Sequence, residues 1–412
     1  MNRTVIVVVG ALLFLAALVA GVLLAGFLWF ASASKPMVIP PAPATRSSEL
    51  VPTPADNPPK VEAPAVPKDA VVYTTDFTGE VGPEWSHTKV MKTPTKRPYL
   101  GGFVEQPVTF AHTNLPKHKY VRVTFDLFLL RSWDGSSKTW GEKIFDIDVA
   151  GGPRLLHTTF GNCGFFRDNN EQAFPDTFPC RPHPAWTGAS EKQTLGVKQG
   201  WGGADRTFDV SSVYKMVLTF PHEGPGLAMT FKATMRKYKD KSWGLGNFKV
   251  ETLAEGTKLN DAELAQCWRE LGDADPTVAF RAQWRLIEAG EAATTYIGTH
   301  LSEPCEPTDA DLAKWLDETA AEEWAIAGPA FMRLKSGGLR AANLIESRLA
   351  TNPPSTKYTW LQRELATQLK NYPESQTELR QHRAKRALEV INTAASRKLA
   401  EGIPVHASGD VP

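Results

Sequence analysis

The hydrophobic periodicity of this chain changes once, between Thr252 and Lys258, and that change restricts the folds available to it. Before it, apolar residues recur at every second position in several short segments, as in strands that bury one face. After it, they recur with the 3.6-residue period of helices. We therefore expect an all-β domain at 71–252 and an all-α domain at 258–403. Two domains also suit 412 residues, which are too many for one core.

Turn residues separate the strand-like segments of the first domain. The clearest segments read PVTFAHT, YVRVTFDLFLL, KIFDIDVA, VYKMVLTFP, LAMTFKATMR and NFKVETL. Roughly eight or more strands with turns between them favour a sandwich of two sheets.

The second domain has helix signals at its start. Leu264, Trp268 and Leu271 share one helix face, Asp275-Pro276 is typical of a helix start, and Gly290 is typical of a helix end. Roughly eight short helices fit the segment, which predicts stacked antiparallel pairs.

A long apolar run, Val5–Phe30, follows Arg3 and contains no charge and no proline. At about 26 residues it is long enough to span a bilayer as a helix, so we predict a transmembrane anchor at 1–34. Arg3 would stay inside, which places the bulk of the chain outside the cytoplasm at the cell membrane. The alternative is a signal peptide cleaved near Ala31-Ser32-Ala33, which would release a secreted protein.

The segment 35–70 is rich in proline and has no aromatic residue before the β domain, so it is expected to be a disordered, extended stalk. A second disordered segment is expected at the tail, 404–412.

The four cysteines lie two in each predicted domain. Cys163 with Cys180, and Cys267 with Cys305, are therefore candidates for two disulfides, as exported proteins often contain. Buried thiols are the alternative.

Charge and motifs exclude several classes of function. Lys and Arg nearly balance Asp and Glu, giving a net charge of +1, so nucleic acid is not an expected partner. No zinc-protease motif, nucleophile elbow or phosphate loop occurs. We predict no catalytic residue, no metal site and no cofactor. A cluster of basic residues near the C-terminus is expected to be a solvated helix face, with anion binding as the alternative; it comprises Arg380, Arg383, Lys385 and Arg386.

An acidic row is the strongest candidate for chemistry in the β domain. Glu142, Asp146 and Asp148 would share one face of a strand, with the two aspartates roughly 6.5–7 Å apart along it. That separation suits paired carboxylates in glycoside hydrolysis. The alternative, which we favour, is the solvated outer face of an antiparallel strand.

The loop before that strand carries Trp133, Asp134 and Trp140. Loops at the ends of a sandwich often hold binding residues, and an indole beside a carboxylate can bind a sugar ring. Burial of Trp133 beneath its own loop is the alternative.

Several phrases of the β segment resemble secreted bacterial lectin-like sandwich domains related to laminin-G and concanavalin-type jelly rolls. They are FTGEVGPEWS, YLGGF, FDIDVAGGPRLLHTTF, VYKMVLTFPH and KSWGLGNFKV. The resemblance implies a jelly-roll sandwich that binds carbohydrate. Such domains often hold a structural calcium, but Gly246 stands where they typically carry an aspartate, so no metal is carried over.

The helical segment resembles a C-terminal module of planctomycete multidomain proteins built on HEAT-like pairs. The phrases CWRELGDADPTVAFRAQWRLIEAG and RAKRALEVINTAASRKLAEGI carry this resemblance. It implies a helical-repeat interaction platform.

Together these features predict a membrane-anchored binding protein that recognises polysaccharide or an envelope protein through the sandwich. A glycoside-processing enzyme and a purely structural envelope protein are the alternatives.

Overall fold

The structure, a computed structural model, describes residues 69–163, 171–200, 207–235, 241–351 and 358–404. All of them belong to one compact unit, Pro64–Pro412. The predicted anchor, the stalk up to residue 68 and the tail from residue 405 lie outside the described residues. Within the described ranges, no helix combines the length and the apolar character needed to cross a membrane.

The N-terminal part is β structure, as predicted. The strands of the described residues are β1 (Ala70–Thr75), β2 (Val90–Lys92), β3 (Pro98–Phe103), β4 (Val108–His112), β5 (Tyr120–Leu130), β6 (Lys143–Val149), β7 (Arg154–Thr159), β8 (Glu191–Lys192), β9 (Lys198–Gly200), β10 (Thr207–Asp209), β11 (Ser211–Pro221), β12 (Leu227–Met235) and β13 (Ser242–Leu253).

The strands form two main antiparallel sheets. The seven-stranded sheet has the order β2-β3-β13-β5-β11-β8, with β1 also paired to β13, and the four-stranded sheet has the order β4-β12-β6-β7. A short β9–β10 pair lies apart from both. Aromatic side chains pack between the two sheets. The ring of Phe125 in β5 meets the ring of Phe231 in β12 edge to face, with 5.4 Å between the ring centroids. The core of the sandwich lies between them.

The C-terminal part is helical, also as predicted. The helices of the described residues are α1 (Asp261–Leu271), α2 (Pro276–Ala289), α3 (Glu291–His300), α4 (Asp309–Glu318), α5 (Trp324–Leu334), α6 (Gly338–Thr351), α7 (Thr359–Asn371), α8 (Gln376–Ile391) and α9 (Ala394–Glu401), with a 3₁₀ turn at Lys335–Gly337.

Local sequence signals account for the helix ends. The Asp275 side chain accepts a hydrogen bond from the Thr277 backbone N–H, Pro276 occupies the first helical position, and Gly290 follows the last residue of α2. Asn260 and Glu263 form a reciprocal capping box at the start of α1. The predicted start and end of α2 are confirmed.

The helices divide into two groups with separate cores. Helices α4–α7 enclose their own apolar cluster, which includes Leu316, Phe331 and Leu369. Helices α1–α3, α8 and α9 share one continuous apolar cluster with the sandwich, to which they contribute Trp268 and Leu388. Helix α8 packs on α2 as well as on α9, so the chain returns to its first helices. This arrangement differs from the neighbour-to-neighbour stacking that the HEAT resemblance implies.

Helices α2 and α8 also pack on strand β11 of the sandwich. The described part of β8 pairs with β11 only at Ser212 and Val213. The rest of β11 would therefore be an open sheet edge without the two helices. Phe280 of α2 meets Phe174 of the sandwich at 5.3 Å. The helical part is therefore joined to the sandwich through apolar packing.

The predicted disulfides are not formed, because all four cysteines are thiols. Two of the thiols contact an oxygen atom and not a second sulfur. The Cys180 thiol lies 3.3 Å from the Arg181 carbonyl oxygen, and the Cys305 thiol lies 3.8 Å from the Thr377 hydroxyl. Cys267 faces the apolar core of α1, where burial raises its pKa. The support that cysteine pairing would have given to an exported location is therefore absent.

Candidate functional site

A groove of about 940 Å³ lies between the sandwich and the α4–α7 bundle. On the sandwich side it is lined by the loop that precedes β6 and by a segment between Glu171 and Pro184. On the helical side it is lined by one face of α5 and one face of α7. Its size is in the range that holds a small ligand or part of a chain.

The sandwich wall of the groove is positioned by Gln172. Its backbone exchanges hydrogen bonds of 2.7 and 2.8 Å with that of His183. Its side-chain oxygen accepts a 2.9 Å hydrogen bond from the Tyr214 hydroxyl, and its amide nitrogen donates to the Phe174 carbonyl at 2.9 Å. This fully buried amide therefore fixes the irregular segment 171–184 to strand β11.

Arg181 joins the two walls. Its guanidinium group donates to the carbonyl oxygens of Lys335 and Glu374 at 2.5 Å and of Tyr372 at 3.2 Å. These carbonyls lie just beyond the C-terminal ends of α5 and α7, where helices leave acceptors unsatisfied. Arg181 therefore holds the α4–α7 bundle against the sandwich.

A second, smaller cavity of about 230 Å³ lies beside the groove, and Cys180 lines both. The Cys180 sulfur, an Asp176 oxygen and a His183 nitrogen lie within 4.8 Å of one another, close enough to hold a metal ion. However, both Asp176 oxygens already accept hydrogen bonds from Arg383, and His183 Nε2 lies 2.9 Å from one of them. A cation would have to compete with that guanidinium group, so the cluster is assigned a structural role.

The basic cluster of α8 is not the solvated face that we expected. Arg380 and Arg383 are 3% and 4% exposed. Arg383 pairs with Asp176, Arg386 donates to the Arg154 carbonyl oxygen at the edge of the four-stranded sheet, and Lys385 donates to the Ile403 carbonyl. The four side chains are buried or bonded because α8 packs between the sandwich and the other helices.

Trp324 provides a flat apolar surface in the groove. Its side chain lies over Gly328, where an added Cβ would stand 2.9 Å from the indole Cε2. The ring of Tyr358 contacts the indole, with 5.4 Å between the ring centroids, yet the Trp324 side chain remains 54% exposed. The missing side chain at Gly328 thus allows the indole to lie against α5 with its other side open to a ligand.

Polar groups face the same groove. The Glu171 carboxylate accepts a 2.9 Å hydrogen bond from the Gln368 amide. Burial raises the pKa of Glu171, and the charge of Glu364 adds to the rise while Lys335 opposes it. Burial also lowers the pKa of Lys335 to about 8, although Glu171 opposes this shift. Together they give the groove both a donor and an acceptor beside its aromatic surface.

The residues predicted from the sequence lie in three different environments. Trp133 is fully buried, and its indole N–H donates to the Ser242 carbonyl at 3.1 Å, so it presents no face to a ligand. Asp134 is also buried, and it pairs with the ammonium groups of Lys143 and Lys241 at 3.5 and 3.6 Å. Trp140 is 44% exposed.

The acidic row is divided by the fold. Glu142 precedes β6 and lines the groove. Asp146 and Asp148 lie on the outer face of β6, opposite the buried Phe145 and Ile147. Asp146 accepts from His157 at 2.6 Å, and Asp148 from Arg154 at 2.8 Å. The two aspartates therefore lie on the outer face of an antiparallel strand, as in the interpretation that we favoured from the sequence, and both carboxylates are paired with Arg154.

No family model and no curated protein matches this sequence. Some solved structures resemble part of it. A family 6 carbohydrate-binding module of Cellvibrio mixtus lichenase 5A, in complex with cellotriose, is 13% identical and has a TM-score of 0.21 over 44% of this chain and 98% of the module. A family 28 module specific for non-crystalline cellulose is 11% identical, with a TM-score of 0.21 over 46% of this chain and 98% of the module.

A family 115 4-O-methyl-α-glucuronidase with specificity for decorated arabinogalactans is 12% identical, with a TM-score of 0.23 over 52% of this chain. The chain spans about a fifth of that enzyme, 20% of its length. TM-scores this low establish neither a common architecture nor a common activity.

Several groove residues were missed from the sequence: Glu171, Trp324, Lys335, Gln368 and Tyr372. The one local signal was the spacing of Trp324 and Gly328, one helical turn apart, which leaves room for an aromatic ring on the helix surface. The others follow from contacts between distant parts of the chain.

Proposed function

We propose that this chain is a glycan-binding protein that holds its ligand in the groove between the sandwich and the α4–α7 bundle. The observation that carries the proposal is the exposed indole of Trp324, which lies in a groove that also presents Glu171 and Gln368. A sugar ring offers C–H groups to an aromatic face and hydroxyl groups to carboxylates and amides, so this combination matches its chemistry.

The proposal is tested by measuring affinity for a panel of neutral and acidic polysaccharides by isothermal titration calorimetry. We expect Trp324→Ala to lower affinity for the best ligand by about tenfold or more, because it removes the aromatic surface. Trp360→Ala is the matched control, since Trp360 is 55% exposed but does not line the groove. Equal losses in both variants, or no binding to any glycan by the wild-type protein, would contradict the proposal.

We also propose that the protein is anchored in the cell membrane by Val5–Phe30, with its bulk outside the cytoplasm, where long glycans occur. The support is the length and apolar character of that run. Fractionation of cells with protease treatment of the intact surface would test it. N-terminal sequencing of the mature protein would show whether the run is retained or cleaved after the Ala31-Ser32-Ala33 stretch.

A second candidate function is hydrolysis of the bound glycan. It is favoured by Glu171, since a raised carboxyl pKa in a groove with a second carboxylate, Glu364, suits a general acid. Release of reducing ends from the ligand, abolished by Glu171→Gln, would support this function. Glycan binding without release of reducing ends would show that the chain is a binding protein and not a hydrolase. Binding of an envelope protein in place of glycan would show the same, and a pull-down with purified envelope proteins would detect it.

A further inference from the structure

Lys335 lines the groove at the turn that follows α5. It is the first residue of the 3₁₀ turn that follows α5, and its carbonyl oxygen accepts a hydrogen bond from Arg181. Its side chain lines the groove between the walls. The main chain of this residue is therefore held by the same contact that joins the bundle to the sandwich.

The ammonium group of Lys335 has no hydrogen bond, and no ion pair within 4.0 Å, with any residue that the structure describes. The two buried lysines of the described sandwich differ in this respect: Lys143 donates to two carbonyl oxygens at 2.8 and 2.6 Å, and Lys241 pairs with Asp134 at 3.6 Å. Lys335 is half-buried, and a charge that is partly removed from water without a close partner is costly.

The surrounding charges leave room for an anion. Arg181 lies near Lys335 and carries the same charge, and both burial and Arg181 disfavour the protonated amine. Glu171 is the opposing charge that acts on Lys335, but its carboxylate is bonded to Gln368 and forms no ion pair within 4.0 Å with Lys335. An acidic ligand group placed at Lys335 would supply the missing counter-charge.

Resting on the proposed glycan-binding function, we infer that Lys335 binds an acidic group of the glycan, either the carboxylate of a uronic acid residue or a sulfate ester. Glu142, Glu171 and Glu364 line the same groove and would repel further acidic groups. The ligand class is therefore a glycan whose acidic units are separated by neutral ones.

The test uses three small probes and the full chain: methyl β-D-glucuronoside, the 6-sulfate of methyl β-D-glucoside, and methyl β-D-glucoside itself. Lysines are ¹³C-methylated, and the Lys335 signal, assigned by its loss in Lys335→Arg, is followed by NMR. We expect the two acidic probes to bind about tenfold more tightly than the glucoside, as for a charge-assisted hydrogen bond. Acidic probes should also raise the pKa of Lys335. Comparing the glucuronoside with the sulfate identifies which acidic group the site prefers.

In Lys335→Met, unmethylated and studied by calorimetry, the preference for acidic over neutral probes should disappear. Lys335→Arg should keep the preference. Lys138→Met is the matched control, because Lys138 is an exposed lysine of the same groove. Equal affinities of the wild-type protein for acidic and neutral probes, or a preference that survives Lys335→Met, would overturn this inference and leave glycan binding standing. Failure of all three probes to bind would also overturn the inference about Lys335. The proposed glycan-binding function is decided separately, by calorimetry with the polysaccharide panel described above.

Discussion

Arg383 of helix α8 donates two hydrogen bonds to Asp176 of the sandwich, from Nε to Oδ1 at 2.8 Å and from Nη2 to Oδ2 at 2.9 Å. The same guanidinium group also donates to the carbonyl oxygens of Leu271, the last residue of helix α1, and of Asp273. One buried arginine therefore connects the sandwich, α1 and α8. Burial alone would raise the pKa of Asp176, but Arg383 and His183 hold it well below its usual range.

We expect either Asp176→Asn or Arg383→Met to lower the free energy of unfolding by about 3–5 kcal/mol, since each leaves a buried partner uncompensated. The double variant should lose less than the sum of the two, because neither charge then remains. Urea denaturation of the four proteins measures this coupling. Arg333→Met serves as the surface control, since its pair with Glu318 is 49% exposed on the arginine side and should contribute about 1 kcal/mol or less. Additive losses would show that the pair does not act as a unit.

Gly328→Ala tests the aromatic surface without removing it. The added methyl group would meet the Trp324 indole, which must then move away from α5. We expect weaker glycan binding with a change in stability within about 1 kcal/mol, because greater helix propensity is offset by crowding before Pro329. Calorimetry and thermal unfolding measure the two effects. Gly298→Ala, at an exposed position of α3, should leave binding unchanged. If Gly328→Ala binds normally, the position of the indole over Gly328 does not matter for the ligand.

Binding of an acidic glycan should depend on pH through Lys335. Its protonated form binds the anion, and its pKa is about 8, so affinity should be steady near pH 7 and fall as the pH rises through that value. Glu171 and Arg181 are the charged groups that act on the Lys335 amine, and the Lys335→Met variant separates the titration of Lys335 from theirs. A calorimetric series from pH 6.5 to about 9.5 covers the transition. The fall should vanish in Lys335→Met, and an unchanged profile in that variant would assign the dependence to another group.

Asp146→Asn should leave glycan binding unchanged, since Asp146 lies on the outer face of β6 and bonds His157 and Arg154. We expect a loss of about 1 kcal/mol or less in stability, as for partly exposed ion pairs. Binding and urea denaturation are measured on the same preparation, beside Glu171→Gln in the groove. Loss of binding on Asp146→Asn would place the ligand on the outer sheet face instead of in the groove.

Local patterns predicted the secondary structure, whereas the groove depends on contacts between distant parts of the chain. The alternation of Phe145, Asp146 and Ile147 describes the two faces of β6, because side-chain direction in a strand repeats every second residue. The same alternation could not show that Arg154 and His157 bind the outward aspartates. The spacing of Trp133 and Asp134 suggested a binding loop, but both are buried by contacts with strand β13 and two lysines that local sequence does not reveal.

The sequence by itself determined the order of strands and helices, the caps of α1 and α2, and the alternation that buries one face of each sheet. These features depend on residues a few positions apart. The tertiary structure decided where the groove lies, which charges are buried and which indole is open to a ligand. Arg181 and Lys335 are 154 residues apart and Asp176 and Arg383 are 207 apart. Contacts over such distances arise from packing of whole elements, and a buried charge acquires its role only from the partner that packing brings to it.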